Sequence, residues 1–195
     1  TSSLIGLTDF IDAEFGEPVL TGAYRDSGLP SGVEKGIAGF IPEVSVLRFL
    51  ESTARLMGNA EVGLSFAGAV SFTCYGVWGQ HIVQGDTLGD CLARFKRVIP
   101  LHTPYDSLRI SADGEHVWLR HTFPTSGMHG YRNLEYATLG ILIDLCRQYL
   151  RPSWLPQSLD SDMPRPARTT GSEDTYCTTL RFGAPSIGIA GPRDA

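Results

Sequence analysis

The stretch from Tyr131 to about Arg151 constrains the fold more than any other part of the chain, because it is the longest helix the sequence predicts. On a helical wheel of about 100° per residue, Asn133, Asp144, Arg147, Gln148 and Arg151 gather on one side and read as the solvent stripe. Asp144 is therefore expected to be an ordinary surface acid. The opposite side carries Tyr131, Leu139, Leu142, Cys146 and Tyr149, with Glu135 at its centre. An apolar face of this kind must be covered by other elements. A carboxylate in the middle of it is costly to bury without a partner. Glu135 then has two readings. It stabilises the helix N-terminus or meets an internal arginine, or it faces a ligand, flanked by Tyr131 and Tyr136. An acid among aromatic rings suits a cationic ligand such as an amine.

Shorter elements surround this helix. Leu4, Leu7, Ile11 and Phe15 have helical spacing, and Gly16 suits the end of that helix. Residues 17–41, rich in Gly, Pro and Ser, read as mainly irregular with a short helix near Thr21–Ser27. Pro42-Glu43 opens a firmer helix, with Val44, Leu47, Leu50, Ala54 and Met57 on its stripe and Gly58-Asn59 at its end. Thr87, with Asp90 three residues on, predicts a capped start for a helix bearing Leu88, Cys91, Leu92, Phe95 and Val98, and Pro100 is placed beyond its end. Leu108–Ser111 and His116–Phe123 flank Ala112-Asp113-Gly114-Glu115 as a hairpin. In its second strand Val117, Leu119, His121 and Phe123 share one face, and His116, Trp118, Arg120 and Thr122 the other. The proline-punctuated stretch after the long helix leads to a late strand at Thr178–Phe182, and 164–172 reads as a loop. Helices and strands mix without a steady βαβ alternation. The fold class expected is α+β, helices packed on a small antiparallel sheet in one domain over 1–195. A cupin-like β-barrel is the alternative, and the helices at 43–57, 87–98 and 131–151 argue against it.

Composition narrows the function. With 42% hydrophobic and 19% charged residues the chain can build a core. Its net charge of −5, with scattered basic residues, makes it a poor binder of DNA by itself. The densest basic run, Arg94, Lys96 and Arg97, sits on one helix. Cys74, Cys91, Cys146 and Cys177 have no metal-binding spacing and read as reduced, mostly buried thiols of a cytoplasmic protein. No apolar run is long enough to span a membrane, and the N-terminal residues do not resemble a signal peptide.

Motifs for catalysis are weak. Gly63-Leu64-Ser65-Phe66-Ala67 approaches the G-x-S-x-G elbow of serine hydrolases, but the second glycine is Ala and an elbow needs a strand before Ser65 and a helix after it. His81, His102 and His121 are distant candidates for a base. His116 and His121 fall on opposite strand faces, and His81 and His102 on irregular stretches, so no metal site is expected. No glycine loop fits a phosphate, and no cofactor is expected.

Three stretches, in order, resemble one family. Phe40-Ile41-Pro42 runs through Leu47, Leu50, Ala54-Arg55 and Gly58 to Gly63-Leu64. Tyr75-Gly76-Val77-Trp78-Gly79 is followed by Gly85-Asp86-Thr87-Leu88-Gly89-Asp90-Cys91-Leu92. Leu180-Arg181-Phe182-Gly183-Ala184-Pro185 precedes Gly188-Ile189-Ala190 and Pro192-Arg193-Asp194. Together they resemble the arabinose-binding-like N-terminal domain of AraC/XylS transcription regulators, with Cys91 where that family has a small residue. The resemblance implies a domain that binds a small-molecule effector and often forms a homodimer. It implies a C-terminal helix-turn-helix part, not among these residues, that binds promoter DNA and usually activates transcription. The function expected is thus regulation without catalysis, by a metabolite such as an amine or amino acid. Ligand contacts are expected from Tyr75, Trp78 and His81 in the glycine-bearing segment and from Tyr131, Glu135 and Tyr136 on the long helix. The competing readings are a serine hydrolase using Ser65 and a purely dimerising module.

Overall fold

The computed structural model describes residues 4–29, 33, 39–167 and 171–193. In chain order its elements are α1 (Ile5–Phe15), α2 (Glu17–Ser27), α3 (Glu43–Met57), α4 (Val62–Phe66), a 3₁₀ turn (Phe72–Tyr75), α5 (Gly76–Ile82), α6 (Leu88–His102), β1 (Ser107–Asp113), β2 (His116–Thr122), α7 (Tyr131–Arg147), β3 (Ser158–Asp160), α8 (Ser172–Tyr176), β4 (Leu180–Arg181) and β5 (Ile187–Pro192). The fold is α+β, as expected.

Where cap chemistry is strong the helices begin and end as the sequence predicts. Thr87 Oγ1 accepts from the Asp90 N–H at 3.1 Å and starts α6. Gly58 closes α3 with φ of 62°, a conformation in which a side chain is strained. Three boundaries differ. Helix α2 is a full helix from Glu17, with Pro18 in its first turn, where the sequence reading saw mainly irregular chain. Gly22, which weakens the helical pattern, faces α3 there: a Cβ on it would lie 2.9 Å from Leu56 Cδ1, the movable end of an exposed side chain. Most of the remainder of that irregular stretch, 30–32 and 34–38, lies outside the described residues, as do 168–170 in the 164–172 loop. Helix α6 runs two residues past Pro100, which places His102 in its last turn. Helix α7 stops at Arg147, because the chain turns away ahead of Pro152 and Arg147 Nε donates to the Trp154 carbonyl at 2.9 Å.

The long helix has no broad solvent stripe. Asn133 is 3% exposed. Its Oδ1 accepts from the Gly63 N–H at 2.8 Å, and its Nδ2 donates to the Ala60 carbonyl at 3.3 Å. Asp144 is not an ordinary surface acid either. Its Oδ2 accepts from Ser71 Oγ at 3.1 Å and the Phe72 N–H at 3.2 Å, which fixes the start of the 3₁₀ turn. Helices α3 and α4 and strand β5 all pack against α7, which is therefore buried on nearly every side.

The sheet has the order β1-β2-β5-β3-β4. It is antiparallel except at its edge, where β3 and β4 run parallel, so it is mixed rather than purely antiparallel. It is an open sheet, and the barrel alternative is not realised. The hairpin forms as expected, with Asp113 paired to His116 across a Gly114-Glu115 loop. Register aligns Leu119, Ile189, Leu159 and Leu180 side by side across four strands, and all are buried. On the other face Arg120 Nη1 and Arg181 Nη2 bridge to buried Asp160 at 2.9 and 2.7 Å, and both guanidinium groups lie over Trp118. Gly188 sits between Arg120 and Asp160 in the register, and its missing side chain leaves room for that bridge.

The four cysteines are free: Cys91 and Cys146 are buried, Cys74 is partly buried, and Cys177 is exposed, so the thiols are less uniformly buried than expected. No helix among the described residues is long and apolar enough to cross a membrane.

Candidate functional site

The cavity of interest lies where α1, α3, the 3₁₀ turn, α5, α6, β2 and α7 converge, with a volume of about 140 Å³. That is close to the roughly 150 Å³ apolar cavity that binds benzene in an engineered protein. Phe72, Tyr75, Trp78 and Phe95 supply its aromatic wall. Phe72 stacks on Trp78 with centroids 5.6 Å apart and meets Phe95 edge-on at 5.1 Å. Trp78 is fixed further by its indole N–H, which donates to the Val98 carbonyl at 3.0 Å, and by His102 stacked at 4.3 Å. One turn-by-turn cause underlies this wall: Gly79 lets α5 approach the 3₁₀ turn, since a Cβ there would lie 2.3 Å from the Phe72 carbonyl oxygen. Leu134, Thr138, Ile141 and Leu142 close the cavity from α7.

Polar groups gather where α3, the α6–β1 connection and β2 meet. His121 Nε2 and Asp106 Oδ2 are 2.9 Å apart, and the residues are only 5% and 7% exposed. Asp106 Oδ1, His121 Nδ1 and Thr103 Oγ1 are buried without a hydrogen-bond partner among the described residues. Such groups are expensive to leave unsatisfied. Glu43 also lines the cavity, with Oε1 accepting from Thr125 Oγ1 at 2.9 Å. Burial raises the Glu43 carboxyl above its usual range, and the Asp106 charge adds to this while Thr125 opposes it. Burial pushes His102 down to about 4, so that ring is neutral near pH 7.

Of the side chains expected to contact a ligand, Tyr75 and Trp78 line the cavity. His81, Tyr131, Glu135 and Tyr136 are not among its lining residues. His81 lies on α5 and His102 on α6, so neither stands on irregular chain as the sequence suggested. Tyr131 instead donates to Asp162 Oδ2 at 3.0 Å, and Tyr136 receives a 3.4 Å bond from Arg132. Glu135 is fully buried, and neither carboxylate oxygen has a partner at hydrogen-bonding geometry among the described residues. Its pKa is raised from the ordinary 4.5 to about 7, first by desolvation and then by the Asp162 charge; Ser161, Arg132 and the Asp162 main chain pull the other way. The Asp106, His121 and Glu43 set was not assembled from sequence. His121 carried a usable clue, a polar ring on the apolar face of an alternating strand, the same clue that drew attention to Glu135.

Ser65 lies inside the short helix α4, not at a strand-to-helix turn, so the hydrolase elbow is not formed there. Among the described residues no three His, Cys, Asp or Glu side chains are placed to hold a metal ion.

A largely apolar concavity with a few convergent polar groups is the usual composition of a small-molecule site. Residues 20–195 match the family described as the arabinose-binding domain of AraC transcription regulators, N-terminal, and the chain belongs to that family. Among solved structures, the transcriptional regulator CdpR from Pseudomonas aeruginosa aligns with TM-score 0.61 at 14% identity, over 88% of this chain and 55% of that one. The chain thus spans about half the length of that regulator. A Cs H-NOX mutant carrying 4-cyano-L-phenylalanine at site 5 aligns with TM-score 0.56 at 12% identity, over 98% of this chain and 97% of that one. At these identities the likeness is one of fold. Comparison with curated proteins finds no match.

Proposed function

We propose that this domain is the effector-sensing part of an AraC-type regulator, binding a small metabolite in the cavity without catalysing a reaction. The observation that carries the reading is the cavity itself: an aromatic wall beside buried polar atoms that lack partners among the described residues. A ligand supplying those partners binds the folded domain at little reorganisation cost. Tyr75 and Trp78 are its proposed aromatic contacts, with Asp106, His121 and Glu43 at the polar end. Of the metabolite classes suggested by the sequence, amines and amino acids remain the ones to try first. In a longer regulator, occupancy acts by favouring one arrangement of the domain or of a homodimer. A helix-turn-helix part outside residues 1–195 then acts on promoter DNA, and a cytoplasmic location goes with that role.

A thermal-shift screen of amines, amino acids and other metabolites tests this. A ligand present at about a hundred times its Kd stabilises the native state by about 2.7 kcal/mol. For a domain of this size that is a rise in Tm of roughly 5–10 °C. A flat response across a broad library contradicts sensing and leaves the dimerising module as the better reading.

A further inference from the structure

We infer that the cavity selects a compact cationic amine over a neutral or anionic ligand of the same shape, an assignment that rests on the effector-binding reading. Asp106 and Glu43 both line the cavity, and among the described residues no Lys or Arg lines it. Asp106 is 7% exposed and uses only Oδ2 on His121, which leaves Oδ1 without a partner among the described residues. The Asp106–His121 pair leaves one carboxylate oxygen unused, and Glu43 adds a second carboxyl to the same end of the cavity. The Asp106 charge raises the Glu43 carboxyl, which places the two acids in one field, and Thr125 Oγ1 donates to Glu43 Oε1. A protonated amine supplies what is missing: N–H donors and one positive charge. Its organic body would lie against Phe72, Trp78 and Phe95, whose ring faces also favour a nearby cation.

An anion fares badly in the same place. A carboxylate ligand would meet two acidic side chains, and among the described lining residues there is no Lys or Arg to receive it, at a desolvated position where like charges repel strongly. The cavity volume of about 140 Å³ suits a body of about a benzene ring with a short substituent. A free amino acid with an ionised carboxylate is therefore a poorer fit than the amine that lacks it.

Calorimetric titration of the 195-residue chain with benzylamine, benzyl alcohol and benzoate tests the charge requirement at nearly constant shape. Benzylamine is expected to bind at least about tenfold more tightly than benzyl alcohol, the scale of one charge-assisted hydrogen bond, and benzoate more weakly than either. Glu43→Gln, at a half-buried position that leaves the Asp106–His121 pair intact, is expected to remove most of that preference. Asp106→Asn is the second variant, read only after its melting curve shows a folded domain. The inference is overturned if benzoate or benzyl alcohol binds as tightly as benzylamine, or if the preference for the amine survives both substitutions. If benzyl alcohol or benzoate binds and benzylamine does not, the charge assignment fails while the cavity remains a binding site. If none of the three binds, and the metabolite screen is also flat, both readings fail.

Discussion

Glu135→Gln is expected to stabilise the domain by on the order of 2–3 kcal/mol at pH 8 and by less than about 1 kcal/mol at pH 5. The cause is the burial of a carboxyl group with no hydrogen-bonding partner at normal geometry among the described residues. Its pKa stands near 7 in the folded chain against an ordinary 4.5. Between those two values the folded state keeps a proton that the unfolded state has released, so stability falls as pH rises through this window. Above about pH 7 the full cost of the buried charge is present. Glutamine has nearly the same shape and cannot ionise, so the variant escapes that loss. Melting curves of both proteins from pH 5 to pH 8 read the effect directly. Curves separated by the same amount at every pH would show that the carboxyl titrates normally and that this account of its surroundings is wrong.

Gly63→Ala is expected to act in the opposite direction, destabilising by about 3 kcal/mol. A Cβ on Gly63 would lie 2.3 Å from the Asn133 carbonyl oxygen and 2.7 Å from its Cα. Both are main-chain atoms of α7 and cannot rotate aside. Helix α4 would have to move off α7, which also breaks the 2.8 Å bond from the Gly63 N–H to Asn133 Oδ1. At this chain length the loss corresponds to a Tm lower by roughly 6–12 °C. Gly89→Ala is the control, since that exposed helical position offers a new Cβ only an ordinary 3.7 Å contact with Thr87 Oγ1. It should be neutral or stabilising by up to about 1 kcal/mol. Equal melting temperatures for Gly63→Ala and the parent would mean that α4 does not rest on α7 as described.

These two positions mark where sequence reading reached and where it stopped. Glu135 was legible because helical periodicity places it among Tyr131, Leu139 and Leu142 without reference to any other element. Its surroundings were not legible, since Ser161 and Asp162 come from beyond β3. Asn133 and Asp144 were misjudged for a related reason. A wheel ranks faces of one helix, but it cannot show that α4 and the 3₁₀ turn cover the polar side and use those side chains as hydrogen-bond partners. Strand β5 escaped because Gly188, Gly191 and Pro192 weaken its local preference. Yet Gly191 is required: a Cβ there would lie 2.9 Å from Trp154 Cζ2. Tyr75 and Trp78 were singled out as aromatic residues in a glycine-bearing segment, and both line the cavity. Asp106 and Glu43 were not, since one precedes a strand and the other reads simply as an acid at a helix start. Only the tertiary fold, which puts both on the cavity wall, brings them to one place.

The cavity as effector site is tested most directly by ¹⁹F NMR of the chain labelled with 5-fluorotryptophan. Its three tryptophans are well separated in role: Trp78 lines the cavity, Trp118 lies beneath Arg120 and Arg181, and Trp154 packs against Gly191. Addition of the compound with the largest thermal shift should move the Trp78 resonance, assigned by Trp78→Phe, and leave the other two nearly in place. A bound compound that shifts Trp118 or Trp154 while Trp78 stays fixed would contradict the assignment of this cavity as the effector site.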